Sequence, residues 1–432
     1  MTPPASLTRQ DALLQWEAFL PKVPAYAARR NHVVPGHENV SRLSAALRFR
    51  TLLEDEVIAQ TLSHHPFPVA EKWLQEVCWR RYWKGWMEMH PGVWHHWRNQ
   101  TRAFPDSLPT ATLARAKLVM AGQSGVPSMD RIARELVETG YLHNHARMWW
   151  ASFWIHVEQL PWELGADFFY RHLLDADPAS NTLSWRWVAG LQTPGKTYLV
   201  RLSNLEKYAP HYLGLHPSEN ARLADSDVAP LRGIESVDCP KIAPPEWPAS
   251  LDACTGRRGL WLHSEDLVPE IGPLSSLASA AIAACLPEPG PGETDRPSAR
   301  RIASLHTVLQ DGLSRAGAYY GCHSEALHGA DPALALSRWA KSQALREVVA
   351  MAPMVGPVAD GLPRLRSLLE REQIRLTLLR RPSDTRAFSW ATAGFFPFWQ
   401  KMSRHLQSTE GGEAEPADAF FDGSVSERGA SR

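Results

Sequence analysis

Between Thr139 and Trp187 the chain concentrates side chains that handle charge and electrons. Thr139-Gly140-Tyr141-Leu142-His143-Asn144-His145-Ala146-Arg147-Met148 opens the stretch. Asp175-Ala176-Asp177-Pro178-Ala179-Ser180-Asn181 follows, and Trp185-Arg186-Trp187 closes it. An arginine, two carboxylates and an amide can address the edges of a large, flat, polar ligand, and tryptophans beside it can relay electrons. The chain holds eighteen tryptophans, grouped at Trp73, Trp79, Trp83, Trp86, Trp94 and Trp97 and again at Trp149, Trp150, Trp154, Trp162, Trp185 and Trp187. Core packing is the plain reading of a tryptophan, but grouping around polar strings assigns some of these to a site.

The elements that must position these residues read as follows. Residues 10–210 are helical: apolar residues recur at helical spacing from Trp73 to Met89, from Met129 to Val137 and from Ala146 to Glu158. Turns fall at Pro105–Pro109, Gly122–Pro127 and Thr193-Pro194-Gly195. Residues 217–258 read as an irregular, proline-punctuated linker. Gly259–His263, Val348–Met351 and Ile374–Leu379 are short buried strands, with helices near 270–285, 299–315, 333–343, 358–372 and 388–406. Strands alternating with helices specify an α/β unit with a parallel sheet. The expected architecture is a mostly α domain over 1–216, the linker 217–258, an α/β domain over 259–406 and a disordered polar tail over 407–432.

Net charge is zero at 432 residues, so any nucleic-acid contact must come from a local patch. Five scattered cysteines (Cys78, Cys239, Cys254, Cys285, Cys322) form no CxxC pair, which argues against zinc, iron–sulfur or a secreted disulfide framework. There is neither a signal-peptide pattern nor an apolar run of membrane-spanning length. A reducing cytoplasm, no membrane and a monomer are the expectations. No GxGxxG or Walker loop occurs.

Five strings, in order, resemble the FAD-binding domain of the photolyase/cryptochrome family. They are Tyr26 with Arg30, Ser41-Arg42-Leu43-Ser44, Trp73 through Arg80, Asn144 through Met148, and Asp175 through Trp187. The resemblance implies FAD folded in a helical bowl, with a second, antenna chromophore left unspecified. Ser41, Arg42, Leu43 and Ser44 would hold its phosphates, although that string also serves as a helix cap. Tyr26, Trp73, Glu76, Arg80, Asn144, Arg147, Asp175 and Asp177 would complete the cofactor site, and Asn181 would face flavin N5. For both aspartates a helix-terminal ion pair is the plain alternative, and Asp177 standing alone reads as that pair. Glu76, Trp79, Asn144, Met148 and Trp187 match positions that meet a flipped pyrimidine dimer. Trp79 and Trp187 would clamp it, and Glu76 would stabilise charge arriving on it. A Glu76–Arg80 salt bridge is the bland alternative. Trp185 and Trp162 match the proximal and middle members of an electron relay.

Four departures stand out. The distal relay position falls near Pro109. His145 stands where many members have an arginine, and Gly195-Lys196-Thr197-Tyr198 replaces a Pro-Tyr-Phe-Arg pattern. The family's α/β antenna domain normally precedes the flavin domain, whereas here the α/β unit follows it. Gly259 through Leu267 faintly resembles that domain's opening strand, so circular permutation is an expectation beside an unrelated α/β domain. The implied function is light-driven, FAD-dependent repair of cyclobutane pyrimidine dimers in UV-damaged DNA. The alternative is a cryptochrome-like blue-light photoreceptor acting through a protein partner.

Overall fold

The computed structural model describes residues 7–193, 196–214, 217–225, 228–234, 237, 239–252, 256–288 and 297–410. Its first half is helical. The elements that carry the site are α1 (Ser44–Phe49), α2 (Phe67–Met89), α3 (Pro127–Thr139), α4 (Asn144–Ser152), α5 (Trp162–His172) and α6 (Pro178–Val188). Local chemistry sets their ends. Pro68 sits in the first turn of α2, where a missing N–H costs nothing. The His143 side chain accepts from His145 N at the start of α4. Asp177 caps α6, accepting from Ser180 N, with Pro178 at its first position. α6 packs against both α2 and α4.

The second half is built on a five-stranded, all-parallel sheet: β1 (Arg258–Leu262), β2 (Ala281–Cys285), β3 (Ser324–Leu327), β4 (Glu347–Met351) and β5 (Arg375–Leu379). The order β3-β2-β1-β4-β5 reverses between β1 and β4, the doubly wound arrangement whose ligand crevice lies at the carboxyl ends of those two strands. α7 (Ala299–Tyr320) follows β2, capped by Ser298 at one end and by Gly321 in the left-handed region (φ 63°) at the other.

Several sequence expectations need correction. Residues 270–285 are not a helix: Ala281–Cys285 is β2, buried between β1 and β3. Its alanines favour helix in isolation, but small side chains also suit the middle of a sheet covered on both faces. Ser324–Leu327 adds an edge strand with no apolar run to announce it. Pro105 lies inside the helix Pro91–Ser107 rather than in a turn.

α10 (Pro382–Trp390) and α11 (Phe395–Glu410) follow β5 in sequence, but Ala387, Phe388, Ala391, Phe395, Phe398, Trp399, Met402 and Leu406 pack into the helical core. (The intervening helices α8, Pro332–Ser342, and α9, Leu362–Arg371, flank the sheet.) A domain ending at 406 therefore cuts α11, and it groups both helices with the wrong core. The contact is close: a Cβ on Gly85 of α2 would stand 2.8 Å from the Phe388 backbone. Residues 407–410 are helical rather than tail. The rest of the tail, Cys254 and the Pro194-Gly195 turn lie outside the described residues. Among the described residues no helix is long and apolar enough to cross a membrane, and no cluster could hold a metal.

Candidate flavin site

α2 presents Trp73, Glu76 and Arg80 at successive turns. Trp73 is buried, stacked on Trp16 at 5.6 Å and edge-on to Tyr26 at 5.3 Å, and its Nε1 donates to Thr61 Oγ1 at 3.2 Å. Glu76 pairs with Arg30, not with Arg80. Burial pushes its carboxyl up, and Arg30 and Lys72 only partly oppose that, so the group takes a proton more readily than a surface glutamate.

Arg80 instead reaches α6. Its Nη1 lies 3.1 Å from Asp177 and its Nη2 3.4 Å from Asp175. Arg147 donates to Asp175 at 3.0 Å and, through Nε, to Leu142 O at 3.0 Å. Burial would raise both aspartates. Arg147 and Arg80, helped by Ser44, hold Asp175 below the usual range, and Arg80, Lys84 and Arg48 do so for Asp177. The motif residues Ser44, Arg80, Arg147, Asp175 and Asp177 therefore form one connected group, its two carboxylates buried and its other members partly buried. Asp177 forms the helix-terminal ion pair expected of it standing alone and also caps α6. Asn181, one turn on, is buried and donates to Ala166 O at 3.0 Å.

In the phosphate string, Leu43 is buried, Ser41 Oγ accepts from Leu43 N at 3.4 Å, and Arg42 has φ 54°. Few non-glycine residues adopt such a φ, and those that do cluster at functional loops. Arg42 borders a cavity of about 740 Å³, with His37, Arg131, Arg134 and Tyr141 among its walls. Burial pushes the Tyr141 hydroxyl up to about 12, with Arg147 opposing and Asp175 adding to it, so this wall also backs onto the Arg147–Asp175 pair. His37 Nδ1 and His143 Nε2 are buried without a hydrogen-bond partner. Buried polar atoms are normally satisfied, so these orphans, with the guanidinium-lined cavity, fit a large polar group such as FAD.

Asn144 is exposed at the start of α4, with its Nδ2 4.0 Å from Met148 Sδ. Trp79 is partly buried and stacks flat on Phe395 at 3.6 Å. Trp187, also partly buried, packs near Tyr198 at 5.8 Å. His145 donates to or accepts from nothing charged: its Nδ1 meets Asn31 O at 2.8 Å and its ring stacks on Trp149. Trp185 and Trp162 are both buried. Ring contacts from Trp185 run to Phe169 at 5.1 Å and Trp150 at 6.2 Å, and from Trp150 to Trp154 at 5.2 Å. Trp154 Nε1 donates to Pro161 O, next to Trp162. Gly165 permits this packing, since a Cβ there would lie 2.3 Å from the Trp185 ring.

Sequence reasoning missed Arg48, which joins Asp177 at 3.9 Å to Glu265 of the α/β half at 2.6 Å. It stands one turn after Ser44 on α1, so helical spacing offered a clue. It missed His143, although capping places it beside Asn144. It also missed Phe395, for which no local signal exists.

Comparison with known proteins agrees with this geometry. Residues 73–212 match the family model described as the FAD binding domain of DNA photolyase. The chain is 31% identical over 180 residues to the deoxyribodipyrimidine photo-lyase of Salmonella typhimurium, covering 40% of this chain and 37% of that protein. It is 31% identical over 231 residues to that of Thermus thermophilus, covering 49% and 52%. It thus spans about a third to a half of the length of these relatives. A class III photolyase structure from Agrobacterium tumefaciens aligns at 25% identity and TM-score 0.41, covering 50% of this chain and 44% of that one. Fold, site and match together define the helical half as an FAD-binding domain. Through it the chain is similar to the photolyase/cryptochrome family.

Proposed function

We propose that this protein binds FAD in the helical bowl and uses light to split cyclobutane pyrimidine dimers in DNA. The observation that carries this is the convergence of Arg80 and Arg147 on the buried carboxylates of Asp175 and Asp177, with Glu76 and Trp79 on the helix that carries Arg80. When bound, the flavin supplies a light-driven electron and recovers it, so that the dimer is cleaved with no net oxidation. The chain's own residues do the rest. Ser41–Ser44 bind the phosphates. Arg147, Asp175 and Asp177 orient the flavin and the adenosine part, and Asn181 offers an amide toward N5. Trp79 and Trp187 stack on the flipped bases. Glu76, whose carboxyl burial makes easier to protonate, presents a hydrogen bond to a pyrimidine carbonyl as charge develops there. Asn144 and Met148 line the outer edge.

The reading as a blue-light photoreceptor draws support from one observation: His145 is occupied by Asn31 O and Trp149 and is not offered to a DNA phosphate. The test is illumination of the reduced, FAD-loaded chain with a dimer-containing oligonucleotide at low salt. Repair is expected in single-stranded DNA if not in duplex, and Glu76→Gln should lower the yield with FAD retained. A flavin-loaded chain that neither binds nor repairs the oligonucleotide sinks the repair reading and leaves the photoreceptor.

A further inference from the structure

The cavity beside Arg42 is closed on one side by the α/β half. The first turn of α7 is fastened to α5: Ser298 N donates to Arg171 O at 2.9 Å, and Arg301 donates to Tyr170 O with its guanidinium 4.4 Å above the Tyr170 ring. With residues 298 and 301 fixed, Arg300 and Ser304 face the cavity. The Arg300 stem lies over Gly140, where an added Cβ would meet its Cδ at 3.3 Å. Ser304 is buried, and its hydroxyl donates to Arg300 O at 3.0 Å.

The charges here are unbalanced. Four guanidiniums border the cavity, those of Arg42, Arg131, Arg134 and Arg300. Three have only neutral partners: Arg42 meets Gln15 Oε1 at 3.4 Å, Arg131 meets His211 O at 2.6 Å and Arg134 meets Gly122 O at 2.8 Å. Among the described residues none of the four forms an ion pair, although arginines elsewhere in the molecule do so freely. Of the two acids in the lining, Glu135 is committed to His37 Nε2 at 3.1 Å and Tyr212 OH at 2.6 Å. A half-enclosed space edged by unpaired guanidiniums and aromatic rings suits a phosphate attached to a planar group, since the guanidinium fork matches phosphate oxygens.

We propose that this cavity binds the phosphate-bearing part of a nucleotide and that Arg300 and Ser304 of the α/β half complete it. The proposal extends the flavin reading, because the cavity adjoins the Ser41–Ser44 string. The phosphates belong either to FAD itself or to a second nucleotide, and the two sources are separable.

The full chain is titrated with FAD, with riboflavin and, when FAD-saturated, with ADP, comparing wild type with Arg300→Glu and Arg300→Lys. Melting temperatures confirm that each variant is folded. If the site holds the cofactor's own pyrophosphate, Arg300→Glu weakens FAD by about tenfold or more. Riboflavin then stays within about twofold and Arg300→Lys is nearly neutral, because only a charge-assisted phosphate contact is lost. If it holds a second nucleotide, FAD is unaffected, ADP binds the saturated wild type, and Arg300→Glu abolishes that binding. Folded Arg300→Glu protein with unchanged FAD affinity and unchanged or absent ADP binding overturns the proposal. A wild type that takes up no FAD would end the flavin reading alone, because ADP is then titrated into the flavin-free chain: binding that Arg300→Glu abolishes upholds the nucleotide site, and no ADP binding overturns it.

Discussion

At the carboxyl ends of β1 and β4, Arg50 is met by Asp384 at 2.7 Å, Asp266 at 3.2 Å and Glu54 at 3.3 Å, and Arg381 is met by Asp266 at 2.8 Å. In the helical half, Arg80 and Arg147 meet Asp175 and Asp177 at similar distances. Composition is the same, but the surroundings differ. The first group lies where a doubly wound sheet ordinarily opens its ligand crevice, and the chain itself fills that space. Arg48 and Arg50 enter from α1, and Gly356 after β4 abuts Pro178, so that a Cβ there would lie 2.7 Å from the Pro178 ring. The second group adjoins a cavity edged by arginines that form no ion pair among the described residues and by His37, whose Nδ1 has no hydrogen-bond partner. Buried charge thus marks a joint where acids and bases are matched across it, whereas the cavity beside the second group keeps arginines without an acidic partner among the described residues. Arg48 touches both, which ties the Asp177 end of this group to the docking of the α/β half.

Substitutions should separate the two places. Arg50→Ala removes the cation shared by three buried carboxylates, leaving Asp266 with Arg381, Glu54 with Lys84 and Asp384 with the more distant Arg81, and should cost about 3–5 kcal/mol of stability in urea unfolding, the usual result of removing one partner from a buried pair. A cost below about 1 kcal/mol would mean that the joint is solvated and the contrast is wrong.

Acid should loosen the site before the joint. Burial, with His37, His145 and Arg147, pushes His143 down to about 3 from its ordinary 6.5. Its folded form stays neutral while the unfolded chain takes up a proton, so its contribution is complete above pH 6.5 and declines from there toward pH 3. About 2 kcal/mol should go between pH 6.5 and 5. Asp266 and Asp384 are held below the usual carboxylate range, burial being overcome chiefly by Arg381 and by Arg50. Their contribution is present above the unfolded value and is lost only as pH falls below about 4. His143→Gln should flatten the upper window and spare the lower one. If it leaves the whole profile unchanged, His143 does not titrate as its burial requires.

Within the helical half the tryptophans offer a finer contrast. Trp185→Phe should slow flavin photoreduction by about tenfold or more, a barrier change of about 1.4 kcal/mol. Trp150→Phe should slow it more than Trp162→Phe, because the ring contacts run from Trp185 to Trp150 and Trp154. The opposite ranking, followed by transient absorption, would return the relay to Trp162.

The sequence displayed those parts of the fold that are local. Asp177-Pro178 states a helix start, and the Trp73–Arg80 string states a helix face, so the residues around Asp175 could be named together. β1, β4 and β5 showed as short apolar runs. β2 did not, because an alanine-rich segment suits either a helix or a covered central strand and only its neighbours decide. The joint was invisible for a different reason: Arg50 and Asp384 are 334 positions apart, and neither spacing nor periodicity reports such a pair. The same holds for Phe395 on Trp79, which depends on α11 returning to α2 from beyond the sheet.

Equilibrium titration with FAD, followed by flavin fluorescence on the full chain, puts the distinction between site and joint to the test. Wild type should bind one FAD per chain. Arg147→Ala and Asp175→Ala, each confirmed folded by circular dichroism, should each weaken it by about tenfold or more, since each removes one charge-assisted partner from the bowl. A wild-type chain that takes up no FAD, or the two variants binding it as tightly as wild type, would contradict the assignment of this buried group as the flavin site.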